Sequence, residues 1–166
     1  MDVLQKKQLK KIAVLGFGNP VRADDGVGIY VIDQLKSKLS ENENLSIFDM
    51  GTSAFEVLFK LKGNDRIILV DAVINTEDEV GSLYKLPATE VEAEIEDDPM
   101  VFLHGLKWNQ ALSYARKMLG DDYPKEIDVY LIAIDSTKFN VGMTTEGKNG
   151  ADKLIDILVE ELKEYQ

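Results

Sequence analysis

Three residues of this chain carry side chains that could act together in hydrolytic or metal chemistry: Asp25, Asp71 and His104. Each lies where a predicted element begins or ends: Asp25 follows a glycine-rich turn, Asp71 ends an apolar run, and His104 opens a predicted helix. Two carboxylates and one imidazole form a ligand set that suits a divalent ion such as zinc or nickel, with positions left for substrate or solvent. We therefore take these three residues as the candidate site.

Composition removes most other routes to catalysis. The chain has no cysteine and one histidine, which excludes thiolate nucleophiles, disulfides and zinc sites of the His-Glu-x-x-His type. No Gly-x-Ser-x-Gly elbow is present, so a serine hydrolase of the usual α/β type has no support. Hydrolysis by this chain would depend on carboxylates, His104 and a metal.

Charge and hydropathy limit the partners and the location. The net charge of −11 argues against a nucleic-acid partner, whose backbone needs a basic stripe. No apolar run approaches the roughly 20 residues of a membrane span. The first eleven residues are polar and basic, unlike a secretory signal. We expect a cytoplasmic protein without a membrane span.

The glycine-rich segment 16–28 joins the first predicted strand to the first helix. A strand, a Gly-x-Gly turn and a helix are typical of phosphate-binding loops. Here Val21 occupies the third glycine position of the dinucleotide pattern, and Pro20 lacks a backbone donor. Asp24 and Asp25 at the helix start favour a cation over a phosphate. Nucleotide binding is therefore disfavoured.

Each candidate residue also has an ordinary structural interpretation. Asp24 or Asp25 could be a helix N-cap, Asp71 could cap a turn, and a single His104 is more often structural than a ligand. The stretch 90–98 holds six acidic residues in nine positions. It is typical of a solvated loop, with a lid or an electrostatic lure for a cationic partner as the alternative.

Strand and helix patterns alternate along the chain and predict a single-domain, three-layer α/β/α fold with a twisted, mostly parallel sheet of about five strands. The predicted strands are 11–15, 45–50, 66–73, 81–86 and 127–134. The predicted helices are 25–39, 53–61 with a Ser53–Glu56 capping box, 104–119 and 149–165. Residues 1–10 form a short polar tail, and residues 11–166 form the domain. Sites in such sheets lie beyond the carboxyl ends of the parallel strands.

The motifs resemble those of the hydrogenase maturation endopeptidases, in the expected order and over nearly the whole chain from residue 11. The matching segments are Gly16-Phe17-Gly18-Asn19-Pro20, Asp24-Asp25-Gly26-Val27-Gly28, Asp49-x-Gly51-Thr52, Val70-Asp71-Ala72, His104 and Gly142-Met143-Thr144. Ala54 departs from the family pattern, in which many members carry a glycine, and residues 1–10 lie outside the resemblance.

The resemblance implies a peptidase domain over 11–166 that removes a C-terminal extension from the precursor of a nickel–iron hydrogenase large subunit after nickel insertion. It implies that Asp25, Asp71 and His104 are the catalytic and metal-contacting residues, and that the nickel arrives within the substrate. Nickel-insertion accessory proteins are further expected partners. The metal would polarise the carbonyl or activate water, or a carboxylate would act as base. The alternatives are a non-cleaving assembly factor or metallochaperone and, behind it, a nucleotide-binding regulatory domain.

Overall fold

A five-stranded, mostly parallel sheet forms the centre of the molecule. The computed structural model describes residues 10–19, 26–74, 76–91, 107–135 and 143–166. The strands are β1 Ile12–Phe17, β2 Leu45–Gly51, β3 Arg66–Val73, β4 Leu83–Pro87 and β5 Glu126–Ala133. They are ordered β2-β1-β3-β5-β4, and all neighbours are parallel except the edge strand β4, which runs antiparallel to β5. The predicted sheet is confirmed.

Four α-helices of the described ranges cover the two faces of this sheet. They are α1 Val27–Lys38, α2 Val57–Leu61, α3 Trp108–Leu119 and α4 Thr145–Glu161. Helices α1 and α4 pack together on one face, and α2 and α3 pack together on the other. The predicted three-layer α/β/α arrangement is therefore confirmed. Within these ranges, no helix combines the length and the apolar character needed to cross a lipid bilayer.

The alternation of side chains along β3 decides which layer each residue meets. Ile68 and Val70 enter the core beneath α1 and α4, whereas Ile67 and Leu69 enter the core beneath α2 and α3. Successive side chains of a strand point to opposite faces, so Asp71 shares the α2–α3 face with Ile67 and Leu69. The alternation of side chains along β3 thus determines which face of the sheet the Asp71 side chain points to.

Several helix boundaries differ from the predictions. Helix α1 begins at Val27 with Gly26 as its N-cap, α3 begins at Trp108 with an extended Lys107 as its N-cap, and α4 ends at Glu161. Helix α4 begins earlier than predicted because the Thr144 hydroxyl accepts a hydrogen bond from the Gly147 N–H at 3.1 Å. The predicted Ser53 capping box is wrong, since Ser53 makes no side-chain cap bond.

The second predicted helix divides into a 3-10 turn, Ala54–Glu56, and the short helix α2. The change from 3-10 to α-helical winding alters which side chains of this segment face the core. Val57 and Leu61 are buried, while Phe55 and Phe59 remain exposed by 45% and 69%. The two exposed rings contact each other edge to face, with centroids 5.6 Å apart.

Two glycines of the opening motif let α1 lie unusually close to the sheet. A Cβ atom added at Gly28 would meet the Phe17 carbonyl oxygen at 2.0 Å, and one at Gly16 would meet Ile32 Cγ1 at 2.0 Å. Neither distance is compatible with a side chain, so both positions require glycine for packing. The glycine pattern that resembles a phosphate loop is explained, at these two positions, by contact between helix and strand.

The variant Gly28→Ala is expected to destabilise the fold by about 1–3 kcal/mol, since α1 must move away from β1 to accommodate the methyl group. Urea unfolding would measure the loss. Gly63→Ala is the matched control: no atom lies within 4 Å of its added Cβ, and its φ of +89° supplies backbone strain alone, on the order of 1–2 kcal/mol. A Gly28→Ala protein as stable as wild type would contradict the packing explanation.

Candidate active site

A cleft opens where the carboxyl ends of β1, β2 and β3 meet. Its volume is about 360 Å³. The residues that line it come from three strand ends and the start of α3: Phe17, Gly18, Gly51, Thr52, Ala54, Asp71, Lys107, Trp108 and Asn109. The connection that follows β1 leads to β2 on one side, and the connection that follows β3 leads to β4 on the other, so the cleft lies at the switch point of the sheet. Ligand sites of open α/β sheets occupy this position.

Asp71 provides the carboxylate of this cleft, and among the described residues it is the only acidic residue that lines the opening. It is half-buried near the end of β3. Its Oδ1 atom accepts the backbone N–H of Ala72 at 2.7 Å, and its Oδ2 atom accepts the indole N–H of Trp108 at 2.7 Å. The carboxylate is therefore held at both oxygens by N–H donors.

The β2 end of the cleft is shaped by a local turn. The Asp49 carboxylate accepts the Gly51 N–H at 2.9 Å, and Gly51 adopts a φ of +55°, which favours glycine. The Gly51 carbonyl then accepts the Gly18 N–H at 2.9 Å. These contacts give the Asp49-x-Gly51 motif a structural role, because they connect the carboxyl ends of β1 and β2 beside Asp71.

Of the three predicted site residues, Asp71 alone falls within the described ranges. Asp24, Asp25 and His104 lie outside them, as do Gly142 and residues 92–98 of the acidic stretch. The structure thus brings Asp71 into the cleft, and the roles of Asp25 and His104 stay predictions. Among the described residues, no group of three or more His, Cys, Asp or Glu side chains could hold a metal ion.

Helices α1 and α3 both begin close to the cleft. Gly28, in the first turn of α1, lies against the carbonyl oxygens of Phe17 and Val70 at the carboxyl end of the strands. Trp108, the first residue of α3, lines the cleft beside Asp71.

Sequence reasoning missed several residues that line the cleft. Trp108 was the most informative of them, because its indole contacts Asp71 and its ring lies 6.3 Å from that of Phe17. Lys107, Asn109 and Thr52 add polar groups around the same opening. The available signal was position: Trp108 is the chain's one tryptophan and follows His104 by four positions in the sequence.

A second set of charges lies at the opposite end of the strands, at the start of β3. Arg66 pairs with Asp128 at 3.1 Å and with Glu161, and the Tyr130 hydroxyl donates to Glu161 at 2.8 Å. Burial alone would lower the pKa of Arg66, but its bonds to the two carboxylates raise that pKa above its ordinary value. Burial and the bond to Glu161 also raise the pKa of Tyr130. These charges stabilise the fold and lie away from the cleft.

The fold and the cleft define a doubly wound α/β protein with a candidate active site at its switch point. The model of the hydrogenase maturation protease family matches residues 29–161, which is most of the chain. This chain therefore belongs to the hydrogenase maturation protease family, and it is a peptidase.

Relatives and solved structures agree with this assignment. The hydrogenase 2 maturation protease of Escherichia coli K12 is 25% identical over 134 residues, which cover 81% of this chain and 79% of the relative. The structure of the hydrogenase maturating endopeptidase of Escherichia coli has a TM-score of 0.77 at 24% identity, over 93% of each chain. The hydrogenase 2 maturation peptidase of a Thaumarchaeota archaeon has a TM-score of 0.67 at 25% identity, over 92% of this chain and 98% of its own. These structures share the fold of this chain.

Proposed function

We propose that this protease removes a C-terminal extension from the precursor of a nickel–iron hydrogenase large subunit once nickel has been inserted. The observation that carries the proposal is the Asp71 carboxylate, held by two N–H donors in a cleft at the switch point. Family membership supplies the reaction class, which is peptide hydrolysis.

In this proposal the nickel belongs to the substrate, and Asp25, Asp71 and His104 contact it. The position of Asp71 supports that role, because its carboxylate lines the cleft and is held there by N–H donors from Ala72 and Trp108. Carboxylate and imidazole donors suit nickel, and contact with the metal would place the scissile peptide in the cleft. Cleavage would then occur only in a precursor that already carries its metal.

The chemical step adds one water across the peptide bond. The water oxygen attacks the carbonyl carbon, the C–N bond breaks, and the leaving amine takes a proton. Either the nickel polarises the carbonyl or activates the water, or a carboxylate takes the water proton as general base. Both routes require an acceptor oxygen at the position of Asp71.

The test is the intact mass of a cognate large-subunit precursor after incubation with this protein, with and without nickel loading. We expect loss of a short C-terminal peptide from the nickel-loaded precursor alone. Equal cleavage of both forms would refute nickel dependence. Binding without any mass change would replace the protease reaction by that of a non-cleaving assembly factor.

A further inference from the structure

The indole N–H of Trp108 donates a hydrogen bond to the Asp71 carboxylate, with 2.7 Å between Nε1 and Oδ2. Trp108 is the first residue of α3, and Asp71 lies near the end of β3. The contact therefore ties a helix start to a strand end directly across the cleft. No role for Trp108 follows from the family motifs, which pass from His104 to Gly142-Met143-Thr144.

The chemistry of the indole limits what Trp108 can do there. An indole nitrogen is a donor only and cannot be a metal ligand or a general base. Through this bond, Trp108 can influence a reaction at Asp71 by orienting the carboxylate and stabilising its negative charge. Groups that orient the carboxylate ligands of a metal in this way commonly change metal affinity or activity by about 10–100-fold when they are removed.

The surroundings of the indole make it a rigid donor. Trp108 is half-buried, and its ring packs at 6.3 Å and 30° against Phe17, which is 4% exposed at the end of β1. With the Ala72 N–H on Oδ1, the indole N–H on Oδ2 completes one donor for each oxygen. Rotation of the carboxylate would break both bonds. The two bonds therefore fix the orientation of the carboxylate in the cleft.

We propose that Trp108 is a positioning residue of the protease: it fixes the Asp71 carboxylate so that the nickel of the substrate, and with it the scissile peptide, is presented in one geometry. This inference rests on the proposed function. It concerns the N–H group of the indole and not the ring, and that distinction determines the design of the experiment.

Two replacements separate the N–H from the ring. Trp108→Phe keeps an aromatic ring against Phe17 and removes the donor. Because the chain has one tryptophan, β-(3-benzothienyl)alanine can replace it uniformly, keeping the bicyclic shape with sulfur in place of N–H. For both proteins we expect kcat for the nickel-loaded precursor to fall by about 10–100-fold, with KM within about twofold of wild type. A merely structural ring would leave the benzothienyl protein fully active.

The hydrogen bond between Trp108 and Asp71 can be measured without an activity assay. The single tryptophan gives a single indole N–H signal in a nitrogen-15 correlation spectrum. We expect this signal to shift upfield and to exchange faster with water in Asp71→Ala, since the carboxylate acceptor is gone. An unchanged indole signal would overturn the proposal.

Tyr30→Phe is the matched control. It removes another hydrogen bond from an aromatic side chain to an aspartate, the 2.6 Å bond to Asp152, on the face of the sheet opposite α3. We expect wild-type kcat and KM. If wild type cleaves and both Trp108 replacements retain its kcat, the positioning role is refuted and the protease function stands. If wild type cleaves neither form of the precursor, the proposed function fails, and the positioning role fails with it.

Discussion

Replacing Asp71 by asparagine is expected to lower kcat for the nickel-loaded precursor by about 10²–10⁴-fold, and Asp71→Ala is expected to abolish processing. The asparagine keeps a carbonyl oxygen that can accept the Trp108 N–H, so the shape of the cleft is preserved. What it loses is the negative charge and the second acceptor oxygen. Intact-mass kinetics on the precursor measure the effect.

The fold should survive both Asp71 variants. The cost is one or two hydrogen bonds in a half-buried position, on the order of 1–3 kcal/mol, less than the stability of a typical domain. Asp33→Asn, an exposed charge loss on α1, is the matched control and should cleave at the wild-type rate. Full activity of Asp71→Ala would remove Asp71 from the site.

Asp25→Ala and His104→Ala are expected to give the same loss of processing, since the proposal assigns both residues to the substrate's nickel. Circular dichroism and thermal unfolding of these variants should match wild type. Full activity in either variant would cancel the assignment of that residue alone. The three variants thus test the predicted site one ligand at a time.

The central strands could be predicted from the sequence because β1 and β3 contain continuous apolar runs. All six residues of β1 are buried, and β3 matches its predicted range of 66–73 from end to end. A run that is apolar at every position indicates burial on both faces, which is the pattern of a central parallel strand. Asp71 was predictable for the same reason: it interrupts such a run.

The contacts that build the cleft could not be predicted, because they join residues far apart in sequence. The bond from Trp108 to Asp71 spans 37 positions, and the bond from Gly18 to Gly51 depends on which strands become neighbours. Periodicity assigns residues to faces but does not pair them. The starts of α3 and α4 were predicted wrongly for local reasons: an extended Lys107 precedes α3, and the Thr144 hydroxyl caps α4.

At the other end of β3, one buried cation lies among three carboxylates. The Arg66 side chain is 10% exposed and lies near Glu126, Asp128 and Glu161. The parallel register sets Arg66 beside Glu126, and alternation brings Asp128 to the same face, where the end of α4 adds Glu161. Removal of the cation would leave these carboxylates close together and without their common partner.

Arg66→Met is therefore expected to destabilise the protein by about 3–5 kcal/mol at neutral pH, the usual cost of breaking a buried pair by removing one partner. Urea unfolding followed by circular dichroism measures the loss. The double variant Arg66→Met with Glu161→Gln should be more stable than Arg66→Met, because it removes a carboxylate that has lost its cation. A double variant at least as unstable as the single one would contradict the electrostatic explanation.

The stability lost in Arg66→Met should also depend on pH, and the pKa of Glu161 determines the direction of that dependence. Burial alone would raise the pKa of Glu161, but bonds from Arg66 and Tyr130 lower it below its ordinary value. A carboxyl group whose pKa is lowered by folding stabilises the fold above its unfolded pKa of about 4.3 and loses that contribution as the pH falls through the folded value. Arg66→Met removes the main lowering partner. The stability gap between wild type and Arg66→Met should therefore be full at pH 7 and shrink steadily below about pH 4. A gap that stays constant on acidification would mean that Arg66 stabilises the fold by packing, through its aliphatic stem, and not by its charge.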